Sequence, residues 1–377
     1  MERIWKRFTD NLHAAALLPV YTASETGYIP SCPDGSWLFS GICSFHPGTG
    51  LSGDKVIKNV TNLFFLMKYG WVELIHAGKT SPGCWKNIRY GSIDPEDSRV
   101  CIFSSYSHGN RVPEYVFYYL QKIRDAGFEV IFVSSSLLDA EDVERISGYG
   151  GMIIETENVG LDFSSWRAGL EEIGHGRKCS AVLLANDSVL GPLYDLGPIM
   201  KKMRSAKYDI WGMTENCQIK PHVQSYFLHI GPEVLRSGAW EGFWNSIQLF
   251  REKKMLVRRY EIGFSSFFRE IGFQIGAYVP YDAVIRKKKI PGIRRFFFLN
   301  PSFDYWDVLI TDFGFPFIKR EIFRKARSGP LGTSKWRAVL EGHTEYPVEL
   351  ISDYLKYLDS SGVSGYLRQE TAGFQGI

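Results

Sequence analysis

The chain has 377 residues, 45% hydrophobic and 23% charged, an ordinary globular composition with ample material for a core. Its net charge of +3, from 44 basic and 41 acidic residues, carries no nucleic-acid footprint. No apolar stretch reaches the ~20 residues that span a bilayer, and residues 1–20 lack the long apolar core of a secretory signal. Six scattered cysteines (Cys32, Cys43, Cys84, Cys101, Cys179 and Cys217) form no C-x-x-C pair, so they read as free thiols of a cytoplasmic protein. The 15% aromatic share suits sugar rings or a membrane interface, and equally a filled core.

In chain order, residues 1–97 are expected to form an N-terminal extension. Ile4, Trp5, Phe8 and Leu12 share one helical face, which packs on its own domain or lies peripherally on an anionic membrane. Glycine, proline and serine recur over 22–54 without a period, predicting loops, and 79–99 reads as a separator. From Arg99 the pattern sharpens. Apolar runs at 100–103, 128–133, 152–154 and 181–185 predict strands. Helices are expected from Pro113 to Gly127, around 139–146 and over 164–173, with 157–163 a polar loop. This alternation means βαβ units and an α/β fold with a mainly parallel central sheet. Further on, helices are expected near 196–203, 241–250 and 261–270, and strands at 209–213, 223–230 and 273–279. The basic run 286–289 reads as a solvated loop, or as a surface for phospholipid or a charged acceptor. The main domain is placed at 98–340, followed by a C-terminal helix over 348–358 and a tail within 341–377.

Three polar clusters follow strands, where α/β sheets present ligand sites. They are Ser104, Ser105, Tyr106, Ser107 and His108; Asn158, Gly160 and Asp162 with Ser164, Ser165 and Trp166; and Asn186, Asp187 and Ser188 before the turn at Gly191-Pro192. A carboxylate between an amide and a hydroxyl can hold a hydrated divalent cation or a sugar diol, and the same residues also make ordinary turns. No dinucleotide fingerprint, P-loop, G-x-S-x-G elbow or H-E-x-x-H appears.

The segments ENVGLDFSSWRAGL (157–170), LLANDSVLGPL (183–193), DIWGMTEN…HVQSYFLHI (209–230) and NPSFDYWDVLITDFGFPFIKR (300–320) resemble the rhamnan synthesis F (RgpF) family. By inspection the resemblance covers 99–354. It implies a glycosyltransferase of bacterial surface polysaccharides, such as rhamnose polymers and O-antigens, with a Rossmann-like, GT-A-like nucleotide-sugar fold. Asn186-Asp187-Ser188 would take the place of the D-x-D motif, with one carboxylate instead of two, which leaves dependence on magnesium or manganese at Asp187 open. The resemblance implies donor binding by Ser105, Tyr106, Asn158, Gly160, Asp162, Asn186, Asp187 and Ser188. Asp162 reads equally as a cap or dipole partner of the following helix, and Trp166 as core. Glu261 is the candidate base for the acceptor hydroxyl, or a favourable carboxylate at a helix start, with Glu215 and Asp209 in reserve. His222, Gln224 and Tyr226 would share one strand face and line the acceptor, a glycan or lipid-linked glycan. A satisfied core histidine is the other reading of His222. The expected reaction is an inverting transfer from a nucleotide sugar, with dTDP-L-rhamnose the expected donor. The other readings are a transferase of another hexose and a non-catalytic saccharide-binding or scaffold protein.

Overall fold

In the computed structural model, residues 86–107, 110–158, 161–218, 220–247, 257–290, 299–326 and 335–360 are described, all within the unit Gly50–Ile377. The amphipathic segment 4–12 and the stretch 22–54 lie outside the described residues. The separator expected over 79–99 instead contains a strand, β1 (Lys86–Gly91). Its six side chains are all exposed, so it carries no apolar period by which to be found.

β2 (Arg99–Ser105), β3 (Glu129–Ser134), β4 (Met152–Thr156) and β5 (Ala181–Asn186) follow the predicted apolar runs. They are near-continuously buried, as strands covered on both faces must be. α1 (Glu114–Asp125) starts after Pro113, and α2 (Ala140–Ser147) is capped by Asp139, whose side chain accepts from the Asp142 N–H. α3 (Leu161–Glu172) begins inside the expected loop, so Asp162 lies in its first turn. β2 pairs in parallel with β3 and β5, and β3 with β4, giving the order β4-β3-β2-β5. The chain therefore runs outward from β2 to β4 and returns to the other side of β2. That reversal is a topological switch point, and ligands of open α/β sheets bind in the crevice beyond it.

β6 (Val189–Leu190) leaves the sheet, and α4 (Leu196–Ser205) leads to β7 (Ile210–Asn216). The run 223–230 divides into β8 (His222–Val223) and β9 (Phe227–Ile230). β9 lies antiparallel between β5 and β7, which makes the sheet mixed although mainly parallel. α5 (Pro232–Leu235), α6 (Gly238–Asn245), a π-helical turn (Val257–Ile262) and α7 (Gly263–Glu270) precede β10 (Ile275–Val279), which is parallel to β7. The basic run 286–289 is solvated but starts as helix, in the last turn of α8 (Tyr281–Lys287). α9 (Pro301–Asp304), α10 (Trp306–Phe313), β11 (Ile318–Lys319), α11 (Arg320–Ala326), α12 (Lys335–His343) and α13 (Glu349–Ser360) complete the described elements.

Alternate residues of β2 feed two cores. Cys101 and Phe103 face α1, α4 and α13, while Val100 and Ile102 face α3, α6 and α7. Tyr354 of α13 meets Tyr115 of α1 edge-on at 5.1 Å, so the C-terminal helix is part of the first core. Trp166, Trp240 and Trp244 are fully buried in the second, which accounts for them as filling rather than sugar platforms.

His229 on β9 stacks on Trp211 at 5.1 Å, and its buried Nδ1 has no hydrogen-bond partner. Burial, with Arg99 and Arg204 adding repulsion, pushes its pKa from 6.5 down to about 4. The unfolded chain thus binds the proton more readily. Stability carried by the neutral ring is whole above the unfolded value and is lost as pH falls towards about 4, about 3 kcal/mol in all. His229→Phe should therefore flatten the decline of urea midpoints between pH 7 and pH 4.5. A decline as steep as the parent's would refute this.

Candidate functional site

The crevice beyond β2 and β5 is built from the predicted strand-end clusters. Asp187 follows β5, and its N–H donates to the Ser104 carbonyl at 3.2 Å. Its Oδ2 accepts from the Ser105 hydroxyl (2.9 Å) and the Tyr106 N–H (3.1 Å). Ser104 Oγ donates to Asp162 Oδ1 at 3.0 Å, which ties the second cluster to the first. Asp162 thus sits in a helical first turn, where a carboxylate is favoured, and also faces the end of β2. Asn186 Oδ1 accepts from the Ser188 N–H (3.1 Å) and hydroxyl, so this amide carbonyl closes the turn. Asn158 is exposed, two residues past the end of β4. Gly160 and His108 lie outside the described residues.

Sequence reasoning missed the counter-charge. β6 pairs antiparallel with β11, Leu190 opposite Ile318 and Val189 opposite Lys319, and the Arg320 N–H continues the ladder to the Ser188 carbonyl at 3.0 Å. Arg320 Nη2 therefore lies 3.2 Å from Asp187 Oδ1. Its Nη1 donates to the Tyr115 hydroxyl at 2.7 Å, which in turn donates to the Asp187 carbonyl at 3.0 Å, closing a ring of contacts. Burial opposes the guanidinium charge, but Asp187 and the phenolic oxygens of Tyr115 and Tyr354 hold its pKa well above the ordinary value. Burial likewise drives the Tyr115 hydroxyl well up, with Arg320 opposing. At Gly191, φ is +140° and a Cβ would run into the Pro316 carbonyl, so glycine lets the two ladder strands approach.

This donor set does not fit a divalent cation at Asp187. Both carboxylate oxygens already have partners, one of them a half-buried guanidinium that would repel the ion. No group of three or more His, Cys, Asp or Glu side chains among the described residues could hold a metal. The motif has one carboxylate, and Ser105, the Tyr106 N–H and Arg320 contact it.

Across the crevice, at the end of β7, Thr214 Oγ1 donates to Gln224 Oε1 (2.7 Å) and lies 2.6 Å from the Tyr226 hydroxyl. Ser302 Oγ lies 2.7 Å from Gln224 Oε1 and 2.9 Å from Asn300 Oδ1, with one proton to share. Thr214, Gln224, Tyr226 and Ser302 are all buried, and burial pushes the Tyr226 phenol up. His222 does not join this set as strand alternation predicted, because residues 224–226 turn between β8 and β9. Its Nδ1 contacts the Lys220 carbonyl at 2.7 Å. A carbonyl only accepts, so Nδ1 carries the proton and Nε2 is left as an acceptor. Burial lowers the His222 pKa, with Glu261 opposing, which favours the neutral ring.

Glu261 lies in the π-helical turn, one residue before the N-cap of α7, and its Oε1 accepts from the Ser225 N–H at 3.0 Å. It caps a neighbouring loop rather than its own helix, and π-helical turns occur frequently at functional sites. Of the reserves, Glu215 is held by the Tyr281 N–H at 3.1 Å and faces Arg269 at 3.7 Å. Asp209 precedes β7 and accepts from the Gln274 N–H at 2.7 Å, at the opposite edge of the sheet. Asn300, Ser302, Lys319 and Arg320 all fall in the segment NPSFDYWDVLITDFGFPFIKR, so that motif held the missing signal.

Residues 130–370 match the family described as rhamnan synthesis protein F. This chain belongs to the rhamnan synthesis protein F family. The matched span includes Asp162, Asp187, His222, Glu261 and Arg320 and begins after the β2 cluster. Over 200 residues the chain is 30% identical to the uncharacterized protein y4gN of Sinorhizobium fredii, covering 51% of each, so the match spans about half of that relative. The virulence protein VirA of Vibrio anguillarum is 26% identical over 276 residues, 65% of this chain and 88% of its own. Among solved structures, the mannosyltransferase PcManGT from Pyrobaculum calidifontis, in complex with GDP-Man and Mn2+, is similar at a TM-score of 0.31 and 11% identity. That similarity covers 85% of this chain and 92% of the other. No helix among the described residues is long and apolar enough to cross a membrane.

Proposed function

We propose that this family member is a GT-A-like glycosyltransferase working at the cytoplasmic face of the membrane, within the domain assigned to residues 98–340. It takes L-rhamnose from dTDP-L-rhamnose and adds it, with inversion, to a growing surface polysaccharide or lipid-linked glycan. The observation that carries the reading is the junction of the strand-end clusters of β2 and β5 at the switch point, joined through Asp187. Ser105, Tyr106, Asn158, Gly160, Asp162, Asn186 and Ser188 form the donor side. Asp187 is the key residue there, organising Ser105 and the Tyr106 N–H.

On the other side His222, Gln224 and Tyr226 shape the acceptor wall, and Glu261 serves as base. The acceptor hydroxyl gives its proton to the Glu261 carboxylate as its oxygen bonds to the anomeric carbon. The anomeric carbon–phosphate oxygen bond breaks, and the nucleoside diphosphate leaves in a single displacement. Glu261 accepts from the Ser225 N–H and lies within electrostatic reach of His222, beside the acceptor wall, which supports this assignment.

The test is incubation of the pure protein with a panel of nucleotide sugars and a glycolipid acceptor, following nucleoside diphosphate release. Release from dTDP-L-rhamnose is expected. Release only from another sugar nucleotide moves the donor assignment. Neither turnover nor binding across the panel would replace the enzyme by a saccharide-binding scaffold.

A further inference from the structure

The end of the sheet opposite the crevice gathers cations that no carboxylate answers. α4 leads into β7, so its last turn lies where β7 and β10 begin, away from the strand ends that hold Asp187. Lys201 and Arg204 are exposed on one stripe of α4, and exposed Lys207 follows the helix in a left-handed conformation. Among the described residues none of the three has an ion-pair partner. Elsewhere surface cations are answered, Arg111 by Glu141, Arg145 by Glu114, Arg177 by Glu241 and Lys178 by Glu96. The dipole of α4 favours a cation in its last turn by at most ~1 kcal/mol at an exposed site, a use that does not require three. Half-buried Arg99 donates to the Ala126 carbonyl at 2.9 Å, and burial together with repulsion from Arg204 lowers its pKa, so the charges here add rather than cancel.

Two exposed apolar side chains stand at the same end. The Asp209 N–H donates to the Gln274 carbonyl at 2.9 Å, and its carboxylate accepts from the Gln274 N–H at 2.7 Å. This places Tyr208 beside the turn that follows α7. Ile271 in that turn is 45% exposed, and Tyr208 is 37% exposed, its ring lying over Gly276 where a Cβ would strike it. Cations flanking a phenol and an aliphatic side chain suit a bilayer of anionic lipid: the charges meet phosphates while the apolar pair enters the headgroup layer. An acidic protein would match the charges alone.

We infer that Lys201, Arg204, Lys207, Tyr208 and Ile271 dock the protein on an anionic phospholipid bilayer, with the crevice turned away from the lipid. This deepens the membrane-face part of the function proposed above and rests on it for the side of the membrane. The crevice then opens towards free nucleotide sugar and towards an acceptor end already extended from the bilayer.

The experiment is co-sedimentation of the full chain with vesicles of phosphatidylcholine alone and of phosphatidylcholine mixed with phosphatidylglycerol, at low and high salt. Urea denaturation confirms that the variants are folded. The parent should bind the mixed vesicles and be released by salt. Lys201→Glu, Arg204→Glu and Lys207→Glu combined should weaken binding ~100-fold or more, at about fivefold per cation. Tyr208→Ser with Ile271→Ser should weaken it about tenfold. Arg286→Glu with Lys289→Glu, in the other basic run, should bind as the parent does; an equal loss there would mean that net charge and not this surface is read, and overturns the inference. So does parent-like binding by the triple variant, no preference for anionic vesicles, or retention on polyglutamate without vesicle binding. Nucleoside diphosphate release measured without vesicles separates the two readings. A parent that turns over but ignores vesicles loses this surface and keeps the transferase, whereas one that docks through these residues without turnover keeps the surface and loses the transferase.

Discussion

Arg320→Ala is expected to destabilise the fold by about 2–3 kcal/mol, below the ~3–5 kcal/mol of a fully buried ion pair because the arginine side chain stays 23% exposed to water. Asp187 is 5% exposed, and without Arg320 its Oδ1 loses the cation that compensates its charge. The Tyr115 hydroxyl loses a donor in the same step. Urea denaturation at neutral pH measures the loss. Arg320→Met combined with Asp187→Asn should recover most of it, because removing both charges spares the chain an unpaired one. A single variant as stable as the parent would show that the pair is solvated.

Glu261→Gln is expected to cut turnover by about 10²–10⁴-fold while leaving nucleotide binding unchanged, the range for loss of a general base. Glutamine keeps a side-chain oxygen for the Ser225 N–H, so the local loop should hold. The split is read by comparing steady-state product release with titration of the nucleoside diphosphate. Retained turnover would exclude Glu261 as the base. A parallel loss of binding and turnover would mean that the carboxylate positions the turn at Ser225 instead.

The parallel half of the sheet was legible because β2 to β5 are buried on both faces and read as apolar runs of strand length. β1 was not, because exposed edge residues carry no pattern. Asp187 could be singled out from its position after β5 alone, a local signal. Its partner could not, because β11 is two residues long and pairs with β6 across more than a hundred residues of chain. The same distance hides the partners of Asp187, since one carboxylate after a strand looks unpartnered until the guanidinium beside it is known. Glu261 stands out in the sequence as an acidic residue near a helix start, whereas its hydrogen bond to Ser225 is set by the tertiary fold. Gln224 and Tyr226 meet through Thr214, in a turn rather than on the strand face that alternation predicted.

The β6–β11 ladder also has a consequence for the order in which the protein comes into being. A chain emerging from the ribosome has laid down β2 and β5, with Asp187 directly after β5, long before Ile318 to Arg320 are made. Through that interval the carboxylate must stay hydrated or recruit a stand-in, because burying it unpaired costs several kcal/mol. The parallel sheet can therefore assemble vectorially, while the crevice at its switch point closes only when the last of its strands arrives.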